Sequence, residues 1–251
     1  MSAIELLINE HKYVSRMLIV IRKACINFME SKEINYDDFS KMINFVKDFA
    51  DNHHHKKEEV FLFNKMVEHL GDTGKNVITH GMLVEHDLGR NYIRNLEEAL
   101  NKYKNGDKES GVDIIANAIS YANLLENHIQ KEDNVIFNFA KRSLKEPIMK
   151  IIDEEFFEYE EKNSSIREEN IGILNSLEEK YICKEKGDII MITKDQTIGE
   201  VLQLNPNAAN ILMRFGMGCL GCPSAQVESV EQACEVHGLN LEEVLAALNE
   251  K

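Results

Sequence analysis

The chain has 251 residues, a formal charge of −14, 43% hydrophobic residues, 13 Gly, 3 Pro and no Trp. That length suits one larger and one small domain, and the composition favours long helices with few tight turns. The acidic balance, without a basic stripe, opposes binding to phosphate backbones, and no apolar run approaches the ~20 residues of a membrane span, so neither nucleic acid nor membrane is an expected partner.

Met1-Ser-Ala-Ile-Glu5 begins acidic and lacks a basic, then apolar leader. Five cysteines, an odd number widely scattered except for one pair, suit a reducing compartment better than a disulfide framework. The chain is expected to be soluble and cytoplasmic.

In chain order, Ile4, Leu7, Ile8, Val14, Leu18 and Ile21 mark a helical stripe that includes His11, predicting a helix over about residues 2–29. A second stripe runs through Phe39, Ile43, Val46, Ala50, His54, Glu58 and Phe61, on a helix from about 36 to 69 that stops at Gly71. Met82, His86, Gly89, Ile93, Leu96 and Leu100 form the third, ending before Asn105-Gly106-Asp107; Gly89, one turn from His86, leaves room for a small ligand. Ile114, Ala118, Tyr121, Leu125, His128, Glu132 and Ile136 form the fourth. Short connections between such helices predict an antiparallel four-helix bundle, and the fold class is all-α.

The bundle carries a repeat. His54-His-Lys-Lys-Glu58 returns as His128-Ile-Gln-Lys-Glu132, each with a Phe five residues after its Glu, at Phe63 and Phe137. Glu10-His11 returns as Glu85-His86. Residues i and i+4 lie on one helix face, so each His-x3-Glu delivers a nitrogen and an oxygen to one point. Left unpaired in a core, each such group would cost roughly 1–3 kcal/mol or more, a penalty that a metal pair removes. A nitrogen and oxygen donor set without thiolate suits iron or manganese ahead of zinc. The bland reading is a set of solvated His and Glu on acidic helices, which the matched offsets of all six residues disfavour.

Residues 1 to about 145 resemble the hemerythrin-like, or HHE cation-binding, family. The resemblance rests on Asn-Glu-His11, His54-His-Lys-Lys-Glu58-Glu-Val-Phe-Leu-Phe, Val-Glu-His86-Asp-Leu-Gly-Arg and His128-Ile-Gln-Lys-Glu132-Asp-Asn-Val-Ile-Phe. It implies a non-haem di-iron centre, two Fe ions with an oxo or hydroxo bridge, in which His11, His54, His86 and His128 are terminal ligands and Glu58 and Glu132 bridge. His53 and His55, out of register with the repeat, are expected behind the ligands or exposed. The oxygen-carrying members use five histidines, two of them one turn apart on the third helix, whereas Met82 and Arg90 flank His86 here. That departure disfavours reversible oxygen carriage and favours the iron-centre repair proteins, which the chain also resembles. His80 is a candidate additional ligand, provided its helix begins irregularly; the other reading gives it a helix-entry role or a place behind the ligands.

Beyond the bundle, Pro147 suits a helix start, and residues 148 to about 182 read as a long, charge-rich helix carrying Phe156, Tyr159, Ile171 and Leu177. Lys184-Glu-Lys-Gly-Asp188 is the expected boundary, giving 1–145 as the bundle, 146–187 as charged helix and linker, and 188–251 as a small domain that opens on the apolar run Ile189-Ile-Met-Ile192. Thr197-Ile-Gly-Glu200 has capping-box form, Pro206 should start a short helix ending at Gly216, and Ser229 and Asn240 suit N-caps of two more. Its chemistry lies in Met217-Gly-Cys219-Leu-Gly-Cys222-Pro-Ser, where Cys219 and Cys222 are close enough to exchange thiol and disulfide. Residues 190–250 resemble the small redox disulfide domain associated with hybrid-cluster proteins. The rival readings are a metal set of Cys219, Cys222, Cys234 and His237, or a merely structural turn. Cys25 and Cys183 are expected to be inert.

Two functions follow as expectations. In the first, a di-iron protein binds or reacts with O2, NO or peroxide, or handles iron, under oxidative or nitrosative stress or in iron-centre repair, with a thiol-redox or iron-cluster protein as partner. In the second, the chain is a non-enzymatic sensor in which occupancy alters how the small domain docks. Hydrolysis is disfavoured, because no nucleophile–base motif is visible.

Overall fold

The computed structural model describes residues 2–183, 192–205, 207–218 and 227–249, the side chains of Cys183, Gln203 and Leu204 excepted. The chain divides into two compact units, Met1–Glu185 and Lys186–Lys251. The first begins with α1, Ala3–Ser31, whose Ser2 and Glu5 form a capping box. Three long helices follow over 36–69 (α2), 71–104 (α3) and 110–143 (α4), and the fifth spans 146–183 (α5). The all-α expectation holds. Among the described residues the only β-type pairing is one bridge between Thr197 and Ser229, and no helix is long and apolar enough to cross a membrane.

The core explains the up-down order. It consists of two apolar clusters, one built on Met17, Phe39, Phe45, Phe49, Leu96 and Ile114, the other on Ile4, Leu7, Phe63, Met66, Ile78 and Phe137. Along α1 and α3 the chain meets the second cluster first; along α2 and α4 it meets the first cluster first. Neighbouring helices are therefore antiparallel, as short loops require. Between the clusters lies a layer of buried polar side chains: Glu10, His11, His53, His54, His55, Lys57, Glu58, His86, His128 and Glu132.

Three helices of the bundle widen near the polar layer, and α5 widens at its far end, over Glu179–Cys183. The backbone of α2 widens to i→i+5 bonding over Val46–His55 and Glu58–Phe63, that of α3 over Ile78–Met82, and that of α4 over Glu132–Ile136. Widened turns of this kind gather at functional positions, and those of α2, α3 and α4 flank or contain the polar layer.

Helix α5 belongs to the first unit, lending Ile152 and Phe156 to one cluster and Leu174, Leu177 and Tyr181 to the other. Pro147 lies in its first turn. It bends at Asn163 (φ −123°, ψ 16°), whose amide bonds the Tyr159 carbonyl at 2.8 Å. Tyr181 donates to Asp38 at 2.6 Å, and Arg16 on α1 bonds Glu178 at 2.9 Å.

Among its described residues the second unit has four short helices, Ile198–Leu204 (α6), Ala208–Arg214 (α7), Val230–His237 (α8) and Leu241–Asn249 (α9), around Val201, Leu212, Val230, Val244 and Leu248. Thr197 with Glu200, and Ser229 with Gln232, make the capping boxes. The expected boundary stretch 184–188, the start of the Ile189 run, Pro206, Cys219 and Cys222 lie outside the described residues.

At the α2–α3 corner, a Cβ on Gly74 would stand 2.4 Å from the Met66 carbonyl oxygen and 2.9 Å from Leu70 Cβ. Gly74→Ala is expected to lower the denaturation midpoint of the metal-free protein by an amount equivalent to about 1–3 kcal/mol, as overpacking does. An unchanged midpoint would show that the corner can open without loss.

Candidate metal centre

Every helix of the bundle contributes to the polar layer. His11, His54, Glu58 and Glu132 each place one donor atom within 4.8 Å of the others. His86 and His128 fall in an adjoining group, their Nε2 atoms 3.0 Å apart, together with His55. The carboxylates link the two groups. Glu58 turns Oε1 to His54 (3.5 Å) and His11 (3.9 Å) and Oε2 to His86 (3.7 Å). Glu132 turns Oε2 to His11 (3.3 Å) and Oε1 to His128 (3.1 Å) and His86 (3.8 Å). Each acid thus offers one oxygen to either side, as a bridging ligand does.

Behind each of these four imidazoles stands a carboxylate on Nδ1: Asp133 for His11, Glu10 for His54, Glu59 for His86 and Glu85 for His128, at 2.7–2.8 Å. This fixes the tautomer and leaves Nε2 unprotonated toward the centre, the arrangement typical of metal-ligating histidine. Phe137 stacks on His11 and Phe63 on His86, at 5.6 and 6.0 Å between ring centres. The outer acids and the two Phe residues keep the repeat offset, so the pseudo-symmetry extends beyond the six residues found from the sequence.

A cation fits the middle. His11 Nε2 and all four oxygens of Glu58 and Glu132 are buried without a hydrogen-bond partner. Five orphaned donor atoms converging inside an apolar core would be costly, whereas ligation satisfies them. Without a cation, protons must do that work. Burial alone would depress His11, but Asp133 and Glu132 raise it to about 10. Burial likewise opposes charge on His128, and Glu132 with Glu85 raises it to about 10. Burial and then Glu132 push Glu58 up to about 8. Burial would raise Glu132 as well, but His128 and His11 hold it well below the usual carboxylate range. Burial takes His54 down to about 4 despite its bond to Glu10.

A third group, Glu10, His53 and Glu160, also has metal-like spacing. Its cation is already present: the fully buried Lys57 ammonium lies 2.5 Å from Glu10 Oε1, 3.2 Å from His53 Nε2 and in contact with Glu160. Lys131, at the same repeat position, pairs with Glu85 but is half exposed.

The structure corrects one sequence expectation and narrows two others. His80 is exposed and belongs to none of the three groups, because it lies six residues before His86 on the outer side of α3. His53 and His55 are both buried, His53 in the Lys57 network and His55 beside His86 and His128. In a regular helix, successive residues diverge by about 100° and three in a row cannot all be covered by the bundle. Here the widened turn narrows that fan, and α5 covers the outer side, where His53 meets Glu160 at 3.0 Å. The rival metal set also loses support: Cys234 is buried in the apolar core of the second unit while His237, on the same helix, is exposed. Cys25 is buried, and burial pushes its thiol up to about 11, consistent with an inert side chain.

A cavity of about 450 Å³ opens beside the centre, lined by Asp51, His55, His86, Gly89, Arg90 and Tyr121. The Tyr121 hydroxyl is buried there without a partner. A Cβ on Gly89 would only touch Leu125 (3.4 Å) and Tyr121 (3.6 Å), so the glycine's missing bulk, not a forced backbone conformation, is what it brings to this wall.

Lys57→Met removes the cation from two buried acids and should cost about 3–5 kcal/mol. Lys131→Met, at the exposed counterpart, should cost about 1 kcal/mol or less. Denaturant titration of both variants compares them, and equal losses would contradict the assigned role of Lys57. A second expectation concerns pH. Cations need the Nε2 lone pairs that protons occupy on His11 and His128, so uptake at pH 7 expels protons. Apparent affinity then rises roughly tenfold per pH unit for each proton displaced, toward the pKa values of about 10. Calorimetry in buffers of different ionisation heat counts those protons, and uptake without release would contradict the arrangement.

A family profile for the hemerythrin HHE cation binding domain matches residues 2–140, and one for a domain of unknown function (DUF1858) matches residues 192–245. No curated protein and no solved structure matches the chain.

Proposed function

Because the chain belongs to the hemerythrin HHE cation-binding domain family, we propose that its metal-binding bundle holds two iron ions and uses them on O2, NO or peroxide, or in handling iron, during oxidative or nitrosative stress or iron-centre repair. The observation that carries this reading is the pair of buried carboxylates, each with one unpartnered oxygen toward His11 and another toward His86. His11 and His54 would hold one ion, His86 and His128 the other, with Glu58 and Glu132 between them. The all-nitrogen-and-oxygen donor set favours iron, with manganese next and zinc least. A bound iron pair supplies one-electron chemistry at each ion and positions for a small exogenous ligand.

The chain's own residues do the rest. Asp133, Glu10, Glu59 and Glu85 orient the imidazoles and raise their basicity. The two apolar clusters exclude bulk water above and below the layer. The cavity past Gly89 and Tyr121 gives a diatomic or peroxide a way in, with Arg90 on its wall held by Asp51 and Glu59. On this reading Cys219 and Cys222 form a thiol pair for redox exchange with a thiol-redox or iron-cluster partner, supported by their spacing.

Anaerobically purified protein should contain two irons per chain by elemental analysis and show a non-haem di-iron Mössbauer spectrum. His54→Ala and His128→Ala should each lose iron, because each removes one of the terminal imidazoles. Fewer than two irons in the unmodified protein, or full occupancy in both variants, would overturn the di-iron reading.

A further inference from the structure

We propose that the cleft between α2 and α3 binds a small organic acid: a carboxylate on an apolar or aromatic body, with a hydroxyl at its far end. The site needs no particular metal in the centre, so it stands or falls apart from the di-iron reading.

The cleft follows one face of α3, on which His86, Gly89, Arg90, Ile93, Arg94 and Glu97 recur at helical spacing. Eleven residues of helix make it about 16 Å long. Its volume of about 450 Å³ lies in the range that holds organic molecules. A diatomic or peroxide has about the bulk of one or two waters, each with a share of liquid near roughly 30 Å³, and would leave most of that space empty. Val46 and Ile93 make the walls apolar, and Gly89 bares the Tyr121 ring, to which even a Cβ would come within 3.6 Å.

The inner end carries two polar atoms that the protein leaves unbonded. The Tyr121 hydroxyl and His55 Nδ1 are buried without a hydrogen-bond partner, on side chains 2% and 5% exposed. The acid nearest His55, Asp51, stands 3.5 Å away and accepts from Arg90 at 2.8 Å instead. Unmet groups of this kind cost folding free energy, and packing alone would be served as well by a Phe at position 121. A ligand hydroxyl both donates and accepts, so it suits the pair without adding a charge beside Asp51.

The outer end is cationic. Lys47 pairs with Glu97 at 2.6 Å, and Arg90 pairs with Asp51 and Glu59. Arg94, on the same wall, bonds the neutral Asn91 side chain at 2.5 Å and has no acid partner among the described residues. Its guanidinium is a fork for a carboxylate. Gly89 and Arg94 are five residues apart, about 7–8 Å along α3, a span that one ring and a short chain cover. An occupant held in this way stands between solvent and His86.

The test titrates the full chain, metal-free and iron-loaded, with three probes by calorimetry. Hydroxyphenylpropionate has both polar ends, phenylpropionate lacks the hydroxyl, and hydroxyphenylpropanol lacks the charge. The first should fill one saturable site per chain in both metal states, and each of the others should bind about tenfold less tightly. Arg94→Gln should erase the advantage of the acid over its alcohol, Tyr121→Phe the advantage of the hydroxylated acid over phenylpropionate, and Gly89→Leu should abolish binding of all three. Magnetisation transfer in NMR should connect the bound ring with the methyl groups of Val46 and Ile93. No saturable binding, equal affinity for the three probes, or affinities unmoved by Arg94→Gln and Gly89→Leu overturn the proposal. Binding confined to the iron-loaded form would mean that the acid sits on the metal, which also overturns it. An iron content below two per chain, with binding to the metal-free form intact, fails the di-iron reading alone. Should Gly89→Leu or Tyr121→Phe lose its helical circular dichroism, the contacts to Val46 and Ile93 in the unmodified protein decide, and their absence overturns the proposal.

Discussion

The whole bundle is organised around five buried donor atoms that the protein leaves without hydrogen bonds, His11 Nε2 and the four carboxylate oxygens of Glu58 and Glu132. Unprotonated, such atoms repel one another and have lost water, so only a cation or protons can hold them together. What positions them is the surrounding frame. Apolar clusters above and below pin the helices, and an outer carboxylate on each of four imidazoles fixes which nitrogen faces in. Stability is thus spent at the centre of the core and recovered at its two ends. A cation at the centre would satisfy donor atoms to which the surrounding side chains give no hydrogen bond.

The second ring of groups is not neutral scaffolding. Glu10 bonds His54 on one oxygen and Lys57 on the other, and Lys57 carries the link onward to Glu160 on α5. The long helix therefore reaches the histidine layer through three charged residues, all at least partly buried. The other half of the repeat makes the shorter connection of Lys131 to Glu85 at the surface. A symmetric inner site thus sits in an asymmetric field, one side braced inside the protein and the other facing solvent.

Much of this was legible in the sequence. Period and offset gave the existence of four long helices, the bounds of the first two to within a few residues, the fifth helix, and six side chains that the fold does bring together, because i, i+4 spacing on an α-helix carries its own geometry; the third helix starts at 71, well before the stripe that opened at Met82. His53 and His55 were expected behind the ligands or exposed, and the choice between the two was not readable, because no residue pattern announces the widened turn that buries both. The outer acids were missed for another reason. Glu10 and Glu85 were visible as repeated letters beside His11 and His86, and Glu59 and Asp133 follow the two inner acids at the same offset. The signal was present, but a repeated carboxylate next to a ligand looks like surface charge until the partner helix is in place. Lys57 was unreadable on its own, since a lysine in an acidic helix is ordinarily solvated.

The outer carboxylates also say something about how such a chain can come to exist. Glu10 supports His54 and Glu85 supports His128, each within its own helical hairpin, but Asp133 supports His11 and Glu59 supports His86 across the two. The Phe rings cross in the same way, Phe137 onto His11 and Phe63 onto His86. A single hairpin would lack the acid and the ring for its own first histidine. Two identical copies would complete each other, since residue i meeting j while j meets i is the rule of a two-fold interface. The ancestor of this bundle, if it was half as long, could have worked only as a symmetric pair. With both halves in one chain, residue 55 can be histidine while its counterpart 129 is isoleucine, a difference that two identical copies could not hold.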